Sequence, residues 1–356
     1  MSKKRILFLG ETYRADAITW MNGLKEFGDF EIVTWELKSS SSGFSRIKRL
    51  IELTKSFLTI RYIAKKINPD MVIAERTTSY GFLAALTGIK PTAIAQQGIT
   101  DLWPHRSILY IFKKILQDYA FKKADLIHAW GKVMSDHIEK SNVDMTKVIE
   151  LPKGVNIESF TFNDQNKLET INAIVTRSLE PEYKHDVVLK AFAILKKKNI
   201  PFTLRIVGDG ILYKSLQKLA VELNIEKEVI FKGRVPNEKI AQLLHNSNFY
   251  ISMPTTEGVS ASLFEAMACG CFPIVTNLPG NKSWITNHEN GILIPTKNYR
   301  VLADEIVYSF ERDIWRKAVV HRNRKFIEEH ANYAVNMKKM AHIYHELINQ
   351  KSSSSD

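Results

Sequence analysis

The chain has 356 residues, which at about 100–200 residues per domain predicts two domains and excludes a disulfide-stapled miniprotein. Hydrophobic residues make up 45% and charged residues 25%, close to the averages of soluble globular proteins, so wholesale disorder and a collagen-like repeat are unsupported. Fifty Lys and Arg against 38 Asp and Glu leave a net charge of +12, which favours an anionic partner without choosing among nucleic acid, phosphorylated small molecules and an acidic membrane.

The first half alternates short β-rich runs with longer segments of helical spacing. The apolar run after Lys3, Lys4 and Arg5 imitates a signal peptide but is shorter than the ~7–15 residues required, so we interpret it as the first strand. The predicted strands are 5–9, 30–35, 71–74, 92–95, 126–129 and 148–151, and the predicted helices include 47–67 and 107–121. Strands that alternate with helices predict βαβ units and a parallel sheet.

The same alternation restarts after a polar stretch at 163–170, which we interpret as a linker. The predicted strands of the second half are 172–175, 202–207, 229–232, 249–252 and 273–275, and the predicted helices are 186–197, 211–223, 237–246, 261–269 and 332–349. Two sheets of Rossmann type are therefore expected, with a crevice between their carboxyl strand ends as the expected ligand site. No run approaches the ~18 apolar residues of a membrane-spanning helix.

Two cysteines, Cys269 and Cys271, stand one residue apart. That spacing fits neither a zinc knuckle nor an independent disulfide framework. It favours a reducing, cytoplasmic compartment.

The stretch from 249 to 270 carries the most informative chemistry. A predicted strand enters a loop with Glu257 and Gly258, and a helix opens at 259–262 with unpaired N–H groups at the carboxyl edge of the sheet. Such a helix start favours phosphate, and glycine lets the backbone approach closely. Glu257 can accept hydrogen bonds from sugar hydroxyls and Glu265 can hold a ribose diol; alternatively, both carboxylates are structural residues of a helix start and a solvated face.

Glu257 and Glu265, separated by seven residues and followed by 266–270 and 273–276, resemble the signature of retaining, family-four glycosyltransferases of the GT-B fold. Further matches follow in the family's order: 176–185 resembles its Arg and Lys pair, 207–210 its glycine turn, 231–235 its base-side loop and 290–293 its closing turn. The resemblance covers essentially the whole C-terminal half, whereas the N-terminal half matches mainly in its βα rhythm.

The resemblance implies an α/β protein of the GT-B fold, with two Rossmann-like domains facing each other across a cleft and a C-terminal helix crossing back to the first. We expect an acceptor-binding domain at 1–165, a nucleotide-sugar-binding domain at 166–331, a C-terminal helix at 332–350 and a disordered tail at 351–356. The implied reaction moves a hexosyl or N-acetylhexosaminyl group, with UDP-sugar favoured, to a hydroxyl of a glycan or lipid-linked acceptor with retention. The implied setting is bacterial surface polysaccharide or lipopolysaccharide synthesis.

The catalytic residues implied by the resemblance are Arg177, Lys184 and Glu257. Cations on the leaving diphosphate stabilise its growing negative charge, Arg177 by a bidentate contact and Lys184 as a point charge; the alternative is two exposed cations at loop ends. The expected donor- and substrate-binding residues are Glu265, Gly258, Val259, Ser260, Ala261, Ser262, Leu263, Gly208, Arg234, Val235, Gly10 and Gln97. We expect no cofactor and no metal, because Arg177, Lys184 and the helix amides replace the cation.

Two places in the N-terminal half depart from the family. The loop at 10–16 has one glycine, Gly10, where members tend to have a glycine-rich loop. Gln97 stands where many members place a His; it can hydrogen-bond a sugar hydroxyl but cannot exchange a proton near neutral pH. Acid–base assistance from this position is therefore unsupported, and a purely structural role for Gln97 stays open.

Other nucleotide sites are poorly supported. The turn at 208–210 lacks the third glycine of a dinucleotide fingerprint, because position 213 is Tyr213, and no P-loop sequence occurs. The rival functions are a nucleotide-sugar epimerase, an inverting transferase on the same fold, or a GT-B subunit that binds a partner without catalysis.

Two basic segments, 44–67 and 110–123, interleave Lys and Arg with aromatic and aliphatic residues. This pairing favours docking on an anionic membrane surface, and the alternative is two ordinary amphipathic helices with solvated lysines. No base-reading motif is visible, so no nucleic-acid partner is expected. The predicted location is the cytoplasm, with the inner face of the cytoplasmic membrane as the site of any peripheral association.

Overall fold

A computed structural model describes residues 3–38, 45–96, 110–164 and 169–353. The chain forms two compact units, the first comprising Met1–Lys153 with Ala334–Asp356 and the second Gly154–Tyr333. The chain passes from the first unit to the second after Lys153, before the polar stretch at 163–170. Residues 165–168 of that stretch lie outside the described part of the chain.

The first unit is a six-stranded parallel sheet with helices. Its strands are β1 (Arg5–Leu9), β2 (Glu31–Trp35), β3 (Met71–Glu75), β4 (Thr92–Gln96), β5 (Leu126–Ala129) and β6 (Val148–Glu150). Its helices are α1 (Ala15–Gly28), α2 (Ser45–Ile67), α3 (Phe82–Thr87), α4 (Tyr110–Lys123) and α5 (Lys132–Glu139), with a π-helical turn at Thr77–Gly81 and a 3-10 turn at Met145–Lys147. The strands pair in the order β2-β1-β3-β4-β5-β6, so the direction of strand addition reverses between β1 and β3.

Burial explains why the inner strands of this sheet read as apolar runs. Strands β3 and β4 are buried along their whole length, as expected when helices cover both faces of a parallel sheet. Helices α2, α3 and α4 lie side by side, because Phe82 packs between Phe57 and Tyr119 at centroid distances of 5.0 and 5.4 Å.

The second unit repeats this design. Its strands are β7 (Ile171–Thr176), β8 (Phe202–Val207), β9 (Val229–Gly233), β10 (Phe249–Ser252), β11 (Phe272–Thr276) and β12 (Ile292–Ile294). Its helices are α6 (His185–Lys197), α7 (Tyr213–Glu222), α8 (Asn237–His245), α9 (Ala261–Ala268), α10 (Pro279–Lys282), α11 (Tyr299–Glu311) and α12 (Asp313–His330), with a 3-10 turn at Pro181–Tyr183. The parallel order is β12-β11-β10-β7-β8-β9, and the reversal lies between β7 and β10.

The last helix, α13 (Tyr333–Ser353), returns to the first unit, as the sequence predicts. The ring of His345 stacks on Phe30 at 4.2 Å, and its Nε2 lies 2.7 Å from the carbonyl oxygen of Gly28. Near the other end, Asn336 donates to the carbonyl of Pro152 at 2.8 Å. Helix α13 continues through Ser353, so the first three residues of the expected disordered tail are helical, and 354–356 lie outside the described residues.

Both cysteines are free and buried in the second unit. Burial raises the pKa of the Cys269 thiol to about 12, so this side chain behaves as an apolar core residue. Within the described ranges, no group of three or more His, Cys, Asp or Glu side chains is arranged to hold a metal ion. None of the described helices combines the length and apolarity needed to cross a bilayer.

Candidate functional site

The strand reversal in the second sheet brings Arg177 and Ser252 together. Arg177 directly follows β7, and Ser252 is the last residue of the neighbouring strand β10. The Nε of Arg177 donates to the hydroxyl of Ser252 at 3.2 Å. Ligands of open α/β sheets bind at such reversals, outside the carboxyl ends of the strands.

The guanidinium of Arg177 also contacts two residues of the loop between β10 and α9. Its Nη2 donates to the carboxylate of Glu257 and to the hydroxyl of Ser260. The ring of Tyr183 lies 5.4 Å from the guanidinium carbon. The side chains of Arg177 and Glu257 are only 14% and 10% exposed. Two of the three predicted catalytic residues are therefore in direct contact.

The surroundings keep Arg177 charged. Burial by itself lowers the pKa of Arg177, but neighbouring Tyr250, Glu257 and Tyr183 raise it above its ordinary value. The hydroxyl of Tyr250 lies 2.9 Å from that of Ser262, which is 3.3 Å from that of Ser260. A permanently charged cation thus sits within a cluster of hydroxyl groups.

The glycine turn supports the backbone that carries Arg177. Gly208 has φ +147°, and a Cβ on it would lie 2.2 Å from the carbonyl oxygen of Arg177. The amide of Leu179 donates to the carbonyl of Asp209 at 2.9 Å. A side chain at position 208 would displace the strand end on which the site depends.

The helix start at α9 offers fewer free amides than the sequence interpretation assumed. Ser260 is the N-cap, and its hydroxyl accepts from the amide of Leu263 at 3.2 Å. The side chain of Leu263 is buried in the core, so neither its amide nor its side chain faces a ligand. Within the described residues, the amides of Ala261 and Ser262 have no acceptor.

The other predicted donor-site residues lie in the same unit. Val259 is half-buried against the core, Gly258 occupies the same loop as Glu257, and Glu265 is half-buried in the second turn of α9. Arg234 is exposed just after β9, and Val235 beside it is half-buried against the core.

Lys184, the third predicted catalytic residue, caps α6 in a left-handed conformation with φ +49°. Its side chain is half-buried and has no ion-pair partner among the described residues. His185 beside it is buried, with Nε2 2.9 Å from the carbonyl oxygen of Ser178, and burial lowers its pKa. Lys184 therefore carries the charge at this loop while His185 anchors it.

The first sheet carries a polar cluster at its own strand reversal. Gly10 follows β1, and a Cβ on it would lie 2.9 Å from a carboxylate oxygen of Glu75, the last residue of β3. The buried carboxylate of Glu11 accepts from Nη2 of Arg76 at 2.7 Å, and Arg14 lies 3.5 Å away. Arg76 has φ +69° and precedes the π-helical turn.

Several residues of the two clusters were missed by the sequence analysis. They are Glu75, Arg76, Tyr183, Tyr250 and Ser252. Glu75 and Ser252 end strands and Arg76 follows one, and these strand-end positions were the available signal. Tyr183 lies in a turn after β7, and Tyr250 lies inside β10. The predicted residue Gln97 lies outside the described residues. Gln96 before it ends β4, and its buried Oε1 has no partner within the part of the chain that the structure describes.

Part of this chain is similar to a known family. Residues 157–326 match the family described as glycosyl transferases group 1. An uncharacterized glycosyltransferase of Methanocaldococcus jannaschii is 25% identical over 258 residues, which are 67% of this chain and 63% of that protein. The N-acetylgalactosamine-N,N'-diacetylbacillosaminyl-diphospho-undecaprenol 4-alpha-N-acetylgalactosaminyltransferase of Campylobacter jejuni is 24% identical over 277 residues, 74% of this chain and 73% of its own length.

The fold is shared with solved GT-B structures. The Anabaena protein HepE, solved in complex with UDP, superimposes with a TM-score of 0.77 at 16% identity and covers 96% of this chain and 100% of its own. The expected α/β architecture of the GT-B type is thereby confirmed.

Proposed function

We propose, from the premise that this chain is a glycosyltransferase of the GT-B fold, that it transfers a sugar from a nucleoside diphosphate sugar to a hydroxyl with retention of anomeric configuration. The observation that carries the proposal is the setting of Arg177: a charged guanidinium at the strand reversal of the second sheet, with hydroxyls, a carboxylate and two unpaired helix amides around it. A diphosphate is the ligand that such a cation and such amides bind well.

The proposed donor site divides the nucleotide among the predicted residues. Arg177, Lys184 and the amides of Ala261 and Ser262 hold the diphosphate, and Glu265 holds the ribose. Arg234 and Val235 lie toward the base. UDP is the proposed nucleotide, with support from the UDP complex of HepE.

In the proposed reaction, the bond between the sugar and the diphosphate breaks and negative charge accumulates on the leaving phosphate. Arg177 and Lys184 lower the barrier because their charges are already in place when this happens. Glu257 holds sugar hydroxyls, and the departing phosphate takes the proton of the acceptor hydroxyl. These cations and amides supply the charge that a metal supplies elsewhere, so we propose metal-independent transfer of a hexosyl or N-acetylhexosaminyl group.

We place the acceptor on the first unit. Its strand reversal combines Arg14 and Arg76 with Glu11 and Glu75, so the cluster carries little net charge. Paired carboxylates and guanidinium groups suit the hydroxyls of a sugar better than a phosphate. Gly10 belongs to this region, and Gln97, which directly follows β4 in sequence, is proposed as a hydroxyl-binding residue.

A lipid-linked acceptor is supported by the name of the Campylobacter relative, which acts on a diphospho-undecaprenol glycan. This supports a place in bacterial surface polysaccharide or lipopolysaccharide synthesis.

The outer faces of α2 and α4 support a peripheral position at the inner face of the cytoplasmic membrane. Ile51, Leu58 and Tyr62 share one face of α2, Ile111 and Ile115 share one face of α4, and each is more than half exposed. Exposed lysines stand beside them on both helices. Apolar side chains flanked by cations fit an anionic leaflet.

The test of the donor assignment is thermal unfolding of the pure protein with a panel of UDP-, ADP- and GDP-sugars, followed by assay of the stabilising donor. We expect one nucleotide class to raise Tm and free nucleotide to accumulate with an acceptor present. Isomerisation of the donor without nucleotide release would identify an epimerase instead. Stabilisation by none of these donors would contradict the proposal.

A further inference from the structure

We propose that Glu257 is the counter-ion that the donor diphosphate must displace from Arg177, and that this displacement frees the Glu257 carboxylate for the sugar. The inference rests on the proposed donor function and extends it. It gives Glu257 two partners in succession rather than one.

The guanidinium of Arg177 has a limited set of hydrogen-bond donors. Arginine has five N–H groups, and either bidentate contact with a phosphate, through Nε and Nη2 or through Nη1 and Nη2, uses Nη2. In this structure Nη2 of Arg177 donates to Glu257 and Ser260, and Nε donates to Ser252. Both bidentate modes are therefore occupied by the protein itself.

A single contact through Nη1 does not avoid the conflict. The side chain of Tyr250 also hydrogen-bonds Arg177, but its hydroxyl is uncharged, so a phosphate oxygen can take a donor of the guanidinium beside it. That oxygen would then share a guanidinium with a carboxylate in a site where both side chains are largely shielded from water. Like charges in such a setting repel strongly, so the carboxylate leaves as the diphosphate arrives.

The hydroxyl partners raise no such conflict. Ser252 and Ser260 are uncharged, and a hydroxyl can turn to donate to a phosphate after accepting from an arginine. Of the described residues that hydrogen-bond Arg177, Glu257 is the one with a charge. The exchange therefore concerns Glu257 alone.

The backbone under Glu257 is held in place, so rotation of its side chain accomplishes the exchange. A Cβ on Gly280 would lie 2.3 Å from the carbonyl oxygen of Glu257, which shows how closely α10 packs against the loop. The amide of Thr255 donates to the carbonyl of Glu182 at 2.8 Å and ties the loop to the turn that carries Tyr183. A carboxylate released here stays within the donor site.

The test compares Glu257→Gln with wild type by titration calorimetry against UDP, ADP and GDP. Glutamine keeps a hydrogen-bond acceptor for Arg177 but removes the charge. We therefore expect the nucleoside diphosphate that wild type binds to bind the variant about tenfold more tightly. Turnover with the corresponding nucleotide sugar should fall in the same variant, because the sugar loses its carboxylate. A merely structural role for Glu257 would not raise the affinity for the nucleotide while lowering kcat.

Four controls isolate the charge. Glu257→Asp keeps the negative charge and should show no tightening, and Glu265→Gln, the other predicted carboxylate, should bind the nucleotide more weakly. Uridine, which has no phosphate, should bind wild type and Glu257→Gln equally. In an Arg177→Gln background, Glu257→Gln should give no gain, and thermal unfolding checks that each variant is folded.

The outcomes distinguish a failure of the donor assignment from a failure of the proposed Glu257 exchange. Failure of wild type to bind any of the three diphosphates would overturn the donor assignment and this inference with it. Binding by wild type with equal or weaker binding by folded Glu257→Gln would overturn the exchange alone. A gain that persists in the Arg177→Gln background would also overturn it.

Discussion

Each sheet reverses its strand order once, and at both reversals an arginine contacts a carboxylate, but the two pairs differ in which members are buried. In the first unit the carboxylate is the buried member: Glu11 is 3% exposed, whereas Arg76 is 28% exposed. In the second unit Arg177 and Glu257 are shielded to a similar degree, and the arginine directly follows the first strand of its sheet.

The remaining neighbours decide what each pair can bind. Around Arg177 they are hydroxyls, so removal of one carboxylate leaves a cation ready for an anion. Around Arg76 a second carboxylate, Glu75, and a second arginine, Arg14, keep the charges balanced. One topology thus offers two ligand classes, because the residues that follow equivalent strands differ in charge.

The largest effect is expected from the second pair. Arg177→Ala removes the cation nearest the proposed diphosphate and should lower transfer by about 30- to 1000-fold, equivalent to ~2–4 kcal/mol of barrier. Lys184→Ala should lower transfer strongly as well. The half-buried Lys184 has no ion-pair partner among the described residues, so its charge is available to the diphosphate and is lost in the variant. Steady-state kinetics with thermal unfolding as the folding control measures both; near-normal activity in the two variants would refute the donor assignment.

The first pair should respond differently. Arg76→Ala leaves the buried Glu11 with Arg14 at 3.5 Å, so we expect the free energy of unfolding to fall by about 2 kcal/mol. The KM for acceptor should rise about tenfold while the KM for donor stays unchanged, since a charge-assisted contact of ~1.4 kcal/mol is lost on one side only. Urea unfolding and two-substrate kinetics test this, with Glu11→Gln as the milder control; a changed donor KM would erase the distinction between the two pairs.

A smaller effect concerns the basic helices of the first unit. Each Lys near an anionic leaflet contributes about 1 kcal/mol before screening by salt, so replacement of Lys113, Lys114, Lys122 and Lys123 by Gln should weaken binding to anionic vesicles. Cosedimentation across a salt series measures this. The matched control removes four exposed lysines of the second unit, Lys214, Lys218, Lys227 and Lys239, and should bind like wild type. If vesicle binding changes neither with salt nor with replacement of the first set of lysines, α2 and α4 are ordinary solvated helices and the membrane proposal is wrong.

The smallest effect is expected from chelation. If Arg177, Lys184 and the helix amides carry the diphosphate charge, EDTA should change the initial rate by less than about twofold. Loss of activity with rescue by Mn²⁺ or Mg²⁺ would show that a cation shares this task.

The strands were predictable because parallel strands buried on both faces read as continuous apolar runs. Four strands, 5–9, 126–129, 202–207 and 249–252, lie where the sequence predicts them, and the other predicted strands differ by one residue at one or both ends. Strand β12 has only three residues and follows a turn, so the pattern gave a closing turn at 290–293 and no strand. Helices α11 and α12 are likewise not among the predicted elements.

The sequence singles out some of the residues that cluster around Arg177, but not the contacts between them. Arg177, Glu257 and Ser260 were selected, yet their pairing joins residues about eighty positions apart and depends on loop geometry that spacing does not encode. Leu263 shows the converse: it belongs to the matching stretch, but packing and the Ser260 cap use both its side chain and its amide. Arg76 carried no motif signal, and its left-handed φ is visible only in the fold.

NMR of the reaction, run with the nucleotide sugar that stabilises the protein, distinguishes retaining transfer from its alternatives. Anomeric resonances of donor and product, followed together with release of the nucleoside diphosphate, report the transfer and its stereochemistry at once. The account predicts a product with the anomeric configuration of the donor and one nucleotide released per glycosidic bond formed. A product of opposite configuration, or a changed sugar still attached to the nucleotide, would contradict it.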